Sequence, residues 1–271
     1  MIGNLRACVI GVGKIGEALV HCLISKNILD SSRILAVDAL RERCEYITGK
    51  YGIECSSDIS RAVQRCDIVI IAVKPKDVRS VAEALSTFVT SKQLVITLAA
   101  GVSAEFLSGF LKDKPPIIRA MPNIAMQVGE SMTAIAKGPN ASDEHLALAQ
   151  EIFSSVGRVV VVEEKQMDAV TALSGSGPAY IYTIIEALSD GGVKVGLERG
   201  LATVLAAQTT LGAARMVLDT KEHPAKLKDM VTTPGGVTAE GLMQLEKGKI
   251  RAVLMEAVIE AARKSERLLN S

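Results

Sequence analysis

The chain has 271 residues, enough for two ordinary domains and a sizeable buried core. There is no Trp, and aromatic residues make up only 3% of it, which argues against the stacking platforms that hold single-stranded nucleic acid. The formal net charge is +1 and neither half carries a basic stripe, so neither a phosphate backbone nor an anionic membrane is an expected partner.

The N-terminus runs almost directly into an apolar stretch, Leu5–Ile10, with neither the basic start nor the cleavage site of a secretory signal. A cytoplasmic protein is expected. Further short apolar runs follow at Ile34–Val37, Ile68–Val73, Leu94–Leu98 and Ile117–Met121. Such runs read as strands buried on both faces. Amphipathic stretches such as Lys14–Ser25 and Val78–Phe88 separate them and read as helices. This alternation predicts an α/β domain, Rossmann-like, with a mostly parallel sheet. Ser131–Ala136 and Arg158–Val162 extend it, and Ser142 followed by Asp143 and Glu144 starts a helix that runs to about Ser155.

After Val162 the strand signals stop. Residues 1–162 are expected to form the dinucleotide-binding domain and 163–271 an all-helical domain for substrate binding and dimerisation. In the second part Ile250, Val253, Leu254, Ala257, Val258 and Ala261 form a helical apolar stripe. The stretch Leu201–Ala214 is apolar or small on nearly every side and reads as a buried helix. About 110 residues are too few to cover it, so a second subunit is expected to do so. The uncharged segment around it, Gly200–Ala214, is short for a membrane span.

The five cysteines, Cys8, Cys22, Cys44, Cys55 and Cys66, are odd in number and without C-x-x-C spacing. They read as reduced, mostly buried thiols, and no metal site is expected. His21, His145 and His223 are read as structural, since none follows a central strand.

The first run leads into Gly11-Val12-Gly13-Lys14-Ile15-Gly16, a G-x-G-x-x-G turn between a strand and a helix. Gly11 permits the turn, Gly13 lets a pyrophosphate approach the backbone, and Gly16 lets helix and strand pack closely. The free N–H groups of the helix start favour phosphate. Asp38, after the second strand, suits the ribose hydroxyls of NAD and disfavours the extra phosphate of NADP; it could equally cap the next helix. Arg41 and Arg43 could attract that phosphate, so NADH and NADPH both remain open. Val73, Lys74 and Pro75 close a central strand, where ligands sit in open α/β sheets. The small residues of Leu98-Ala99-Ala100-Gly101 leave room for a nicotinamide ring.

Three further segments exceed what helix packing explains: Arg119-Ala120-Met121-Pro122-Asn123, Ser174-Gly175-Ser176-Gly177-Pro178 and Thr232-Thr233-Pro234-Gly235-Gly236-Val237-Thr238. The last, a hydroxyl-rich glycine turn opening a helix, suits a small carboxylate, although it could be a plain helix connection. With Ala72-Val73-Lys74-Pro75 and Leu173–Tyr180, these segments resemble the pyrroline-5-carboxylate reductase family, over essentially the whole chain. The resemblance implies reduction of L-1-pyrroline-5-carboxylate to L-proline by NAD(P)H, the last step of proline biosynthesis. It implies an interlocked dimer, commonly assembled into a decamer, with the active site where domains and subunits meet. It makes Thr238 the partner of the substrate ring nitrogen and places Gly235, Gly236 and Val237, beside Thr233, around the substrate carboxylate. Glu164 would stand near the substrate amine, and Lys74 and Ala100 against the cofactor. Asp38 sits poorly with the NADPH preference common in the family. A rival, the β-hydroxyacid dehydrogenases, needs a carbonyl-polarising lysine; Lys165 is the candidate, without a fitting Asn one turn later.

Overall fold

The computed structural model describes residues 2–268. Eight strands form one sheet: β1 (Ala7–Ile10), β2 (Ile34–Val37), β3 (Glu54–Ser56), β4 (Ile68–Ile71), β5 (Leu94–Thr97), β6 (Ile117–Met121), β7 (Ser131–Lys137) and β8 (Gly157–Val161). Their order is β3-β2-β1-β4-β5-β6-β7-β8. All neighbouring pairs are parallel except β6 and β7. The helices set around the strands in sequence are α1 (Lys14–Ser25), α2 (Arg41–Tyr51), α3 (Ile59–Val63), α4 (Val78–Leu85), α5 (Ala104–Phe110), α6 (Asp143–Ser154) and α7 (Met167–Val170). Then come α8 (Gly177–Lys194), α9 (Arg199–Thr220), α10 (Pro224–Met230), α11 (Val237–Lys247) and α12 (Ile250–Glu266).

The chain divides into two compact units. The first holds residues 1–176 and 259–271, and the second holds Gly177–Val258. The last strand ends at Val161, yet the segment that follows, through Ser176, packs with the sheet unit.

In the first unit every residue of β1, β2, β4 and β5 is buried, which is why those runs lack polar alternation. Side chains from one face, such as Val9, Ile70 and Ile96, pack with Leu19, Leu23 and Phe153. Side chains from the other, such as Cys8, Val69 and Val95, pack with Val63, Leu85 and Leu107. The order reverses direction between β1 and β4, and the crevice beyond their carboxyl ends is where doubly wound sheets bind ligands. Local signals agree with the elements: Ser142 caps α6 through a reciprocal pairing with His145. Asp58 caps α3 and Ser103 caps α5.

Several boundaries differ from the expectation. The run from Leu5 forms strand only from Ala7, after a short 3-10 turn at Ile2–Asn4. The runs to Val73 and Leu98 leave the ladder at Ile71 and Thr97, and α4 stops at Leu85. The three-residue edge strand β3 has no apolar run to announce it, because none of its residues is fully buried.

The second unit is wholly helical, with α8 and α9 packed together. The chain by itself does not bury the helix read as buried. Along α9 only Ala202 and Ala206 are buried, while Leu201, Val204, Leu205 and Leu211 are exposed. An all-round apolar helix needs cover on every side, and the unit has no second layer to supply it. The helix also reaches 22 residues, longer than its uncharged core, and by length and composition it could cross a membrane. All five cysteines are free thiols, four of them buried and Cys55 half-buried.

Candidate cofactor and active site

The turn between β1 and α1 is built by its glycines. Gly11 takes φ +88°, and a side chain there would strike Val73 at 2.8 Å. A Cβ on Gly16 would come within 2.0 Å of the Gly11 carbonyl oxygen. Gly13 is different: its conformation is extended, and a Cβ would meet no protein atom within 4 Å. Nothing in the protein's own packing requires a glycine there, so the open space above it suits a ligand approaching the backbone. Gly13 is also the N-cap of α1, with no side-chain cap on the first-turn N–H groups, which thus face that space as donors. Lys14 is exposed, and Ile15 packs against the core.

Asp38 bonds back to the turn. Its Oδ2 accepts the Val12 N–H at 3.0 Å, and its Oδ1 accepts the Leu40 N–H at 3.0 Å. The N-cap of α2 is Leu40, not Asp38, so the capping alternative does not describe this carboxylate. Arg43 grips the next peptide of the turn, with Nε donating to the Val12 carbonyl oxygen. A cavity of about 590 Å³ opens against these residues. It brings together Gly11, Gly13, Asp38, Val73 and Lys74, which are far apart in sequence. Pro75 lies outside it, at the first position of a 3-10 turn, and Ala100 packs against the buried cluster of Met121, Ala134 and Met167.

A second polar cluster lies at the far side of the sheet. Arg119, on β6, is 3% exposed. Its Nη1 is 3.8 Å from Glu164 Oε1 and its Nη2 is 3.5 Å from Asp168 Oδ1. Glu164 Oε1 also accepts the Ala104 N–H at 2.6 Å, at the start of α5. Asp168 accepts the Ser265 hydroxyl at 2.7 Å. Arg119 Nε and Nη2 find no hydrogen-bond partner among the described residues. One buried guanidinium therefore holds two carboxylates, and Glu164 is a fixed group. Arg119 was singled out only as part of its segment. The signal for it is an arginine inside a run, Ile117–Met121, whose other members are apolar and buried.

Two of the segments meet: Asn123 Nδ2 donates to the Ser174 carbonyl at 3.1 Å, and the Ser174 hydroxyl donates to Met132 O at 3.3 Å. The stretch Thr171–Gly175 is a π-helical turn before α8, a form often found at functional sites. In the second unit, Gly235 takes φ +68° and Gly236 is the uncapped N-cap of α11. A Cβ on Gly236 would fall 2.3 Å from the Thr233 hydroxyl. Val237 is 91% exposed, and Thr238 sits in the first turn, half-buried. Within the turn the Gly236 N–H already donates to the Thr233 carbonyl at 3.0 Å, and the N–H groups at the start of α11 are those that suit an anion.

The histidines are structural in two cases. His145 Nδ1 accepts the Ser142 N–H, and His223 Nδ1 accepts the Ala225 N–H, each at a helix start. Lys165 pairs with Glu163 at 2.6 Å on the exposed surface and does not line the dinucleotide cavity. Among the described residues no cluster of His, Cys, Asp and Glu could hold a metal.

A sheet with this strand order, this glycine turn and a helical second unit defines a dinucleotide-dependent oxidoreductase. Residues 6–101 match the family model "NADP oxidoreductase coenzyme F420-dependent", and residues 164–268 match the model for pyrroline-5-carboxylate reductase dimerisation. The chain is 46% identical to the pyrroline-5-carboxylate reductase of Methanosarcina acetivorans, over 98% of each chain. It is 40% identical to that of Arabidopsis thaliana, over 97% of this chain and 95% of the other. Among solved structures, the Plasmodium falciparum pyrroline carboxylate reductase with NADP bound has a TM-score of 0.90 at 32% identity, covering 99% of both chains. The Coxiella burnetii pyrroline-5-carboxylate reductase has a TM-score of 0.89 at 33% identity, covering 98% of both. The chain belongs to the pyrroline-5-carboxylate reductase family.

Proposed function

We propose that the chain reduces L-1-pyrroline-5-carboxylate to L-proline with NAD(P)H, the last step of proline biosynthesis. It works in the cytoplasm as a homodimer that assembles further, to a decamer. The single observation that carries this reading is the open glycine turn beside Asp38 in a chain akin to these reductases along its whole length. The residues fit the cofactor: Gly13 leaves space where a pyrophosphate must approach, and uncapped N–H groups face it.

The dinucleotide, when bound, supplies the hydride. Gly11, Gly13, Lys14, Ile15 and Gly16 present the turn and first helical N–H groups to its phosphates. Asp38 accepts from the adenosine ribose. Val73, Lys74 and Pro75 border the nicotinamide end, and the small Ala100 leaves room for the ring. The loop of Gly235, Gly236 and Val237, with Thr233, holds the substrate carboxylate. Thr238 hydrogen-bonds the ring nitrogen, its hydroxyl oxygen accepting from the N–H of the protonated imine, or relays a proton from water. Glu164, held by Arg119 and the Ala104 N–H, stands near the substrate amine. A cyclic imine is more basic than a ketone and can take up its proton from solvent near neutral pH, so the site needs no strong general acid. Rate enhancement comes from orientation and from placed charges and dipoles. Residues 163–271 serve substrate binding and assembly, and the apolar faces of α9 are covered by a second copy.

The experiment is nicotinamide absorbance decay with purified protein and pyrroline-5-carboxylate, run with NADH and with NADPH. Decay that requires the imine is the expected result. No decay with either cofactor, in protein that binds both, would overturn the reading in favour of a nucleotide sensor. Light scattering tests the assembly, and a monomer at every concentration would overturn that part.

A further inference from the structure

We infer that Glu17, on the first turn of α1, sets the cofactor preference by holding Arg43 away from the site of a 2′-phosphate, so that the chain favours NADH; this rests on the dinucleotide reading above.

The 2′-phosphate is the one group that separates NADPH from NADH, and it extends from the ribose that Asp38 would meet. Beside Asp38 a hollow is lined by Ala39, Leu40, Arg41, Glu42, Arg43 and Tyr46. It shares Ala39 and Leu40 with the dinucleotide cavity. A phosphate entering that hollow finds two guanidinium groups in its walls, those of Arg41 and Arg43.

Arg43 is already engaged through two of its three nitrogens and one face of its plane. Its Nη2 donates to Glu17 Oε2, its Nε donates to the Val12 carbonyl oxygen, and its guanidinium lies 4.9 Å over the Tyr46 ring. Its side chain is 26% exposed and that of Glu17 19%, so the pair is only partly solvated and is screened less than a surface pair. Glu17 is anchored in turn by Lys50 Nζ at 2.9 Å and the Tyr51 hydroxyl at 3.0 Å. Arg41 is a weak substitute: its side chain is 92% exposed and pairs with Glu45.

The cost of moving Arg43 reaches the glycine turn itself. Val12 is held through both of its backbone groups, its N–H by Asp38 and its carbonyl by Arg43. Turning Arg43 toward a phosphate would break its bond to Glu17, release the Val12 carbonyl and bring the phosphate against the Asp38 carboxylate. Glu17 is therefore a positioning residue. It acts through Arg43, keeping the turn in place for the pyrophosphate and leaving only the solvent-exposed Arg41 to meet a 2′-phosphate.

The test is fluorescence titration of NADH and NADPH into the purified full chain, Glu17→Gln, Glu17→Ala and the double variant Glu17→Gln/Arg43→Met. Circular dichroism establishes that each is folded. The wild-type chain should bind NADH at least about tenfold more tightly than NADPH. Glu17→Gln should narrow that ratio about tenfold, through tighter NADPH binding that fades as salt is added. The double variant should lose the gain, which assigns it to Arg43 and not to the released Lys50. An unchanged ratio in folded Glu17→Gln and Glu17→Ala would overturn the inference, as would equal changes for both cofactors. A wild-type chain that binds NADPH as tightly as NADH would overturn it and leave the dinucleotide reading standing; one that binds neither would overturn both.

Discussion

At the scale of single residues, the chain concentrates its chemistry in a few fixed contacts. Burial works against the Glu17 charge, but hydrogen bonds from Lys50, Arg43 and Tyr51 bring its pKa down to about 2, from an ordinary value of 4.5. A carboxyl whose pKa is lowered on folding stabilises the fold above its unfolded pKa, and that stability is lost as pH falls through the folded value. Glu17→Gln should therefore cost about 1–2 kcal/mol at pH 7 once solvent screening of the part-exposed pair is allowed for. The difference should shrink as pH falls from 4.5 towards 2, as urea denaturation at several pH values would reveal. Thr238 belongs to the reaction and not to the fold: Thr238→Ala should lower kcat by about a hundredfold, the scale of one lost transition-state hydrogen bond. Its melting temperature and cofactor Kd should stay within error of the wild type, and Thr238→Ser should recover most of the activity. Full activity in Thr238→Ala would remove the role assigned to it.

At the scale of elements, two glycines of one turn make opposite predictions. Gly16 packs against the chain itself, and a Cβ would lie 2.0 Å from the Gly11 oxygen. Gly16→Ala must displace backbone and should cost about 2–3 kcal/mol of stability. Gly13 faces open space with an ordinary negative φ. Gly13→Ala should change stability by less than about 1 kcal/mol, yet weaken NADH and NADPH binding by at least about tenfold, because its methyl group occupies the space above the turn. Thermal melts and cofactor titrations of the two variants separate a glycine kept for packing from one kept for a ligand. The elements also mark how far the sequence is legible. The apolar runs of β2 and β6 and the amphipathic stretch of α1 were readable to the residue. The edge strand β3 was not, because a three-residue strand open to solvent needs no hydrophobic pattern.

At the scale of the whole molecule, α9 is the feature that demands a partner. Its Leu201, Val204, Leu205 and Leu211 are exposed in the isolated chain, and it lies within the region matched by the family's dimerisation model. Exposed apolar surface of this extent marks an interface. A charge buried there without a counter-ion is strongly unfavourable. Val204→Glu should convert the assembly to smaller species in sedimentation velocity, with loss of activity and retention of cofactor binding by the sheet unit. An unchanged sedimentation coefficient would place the interface elsewhere.

The sequence by itself determined the α/β order, the glycine turn, the helical second half and the kinship, because each is written in local periodicity or in a contiguous motif. It also identified α9 as a helix in need of cover, since an apolar surface on every side is visible in one dimension. What the tertiary structure alone decided are the contacts across distance in the chain. Asp38 and Arg43 hold the two backbone groups of Val12, Glu17 occupies Arg43, and Arg119 gathers Glu164 and Asp168. A charged residue's partner depends on which side chains the fold brings within hydrogen-bond reach, and no spacing along the chain encodes that distance.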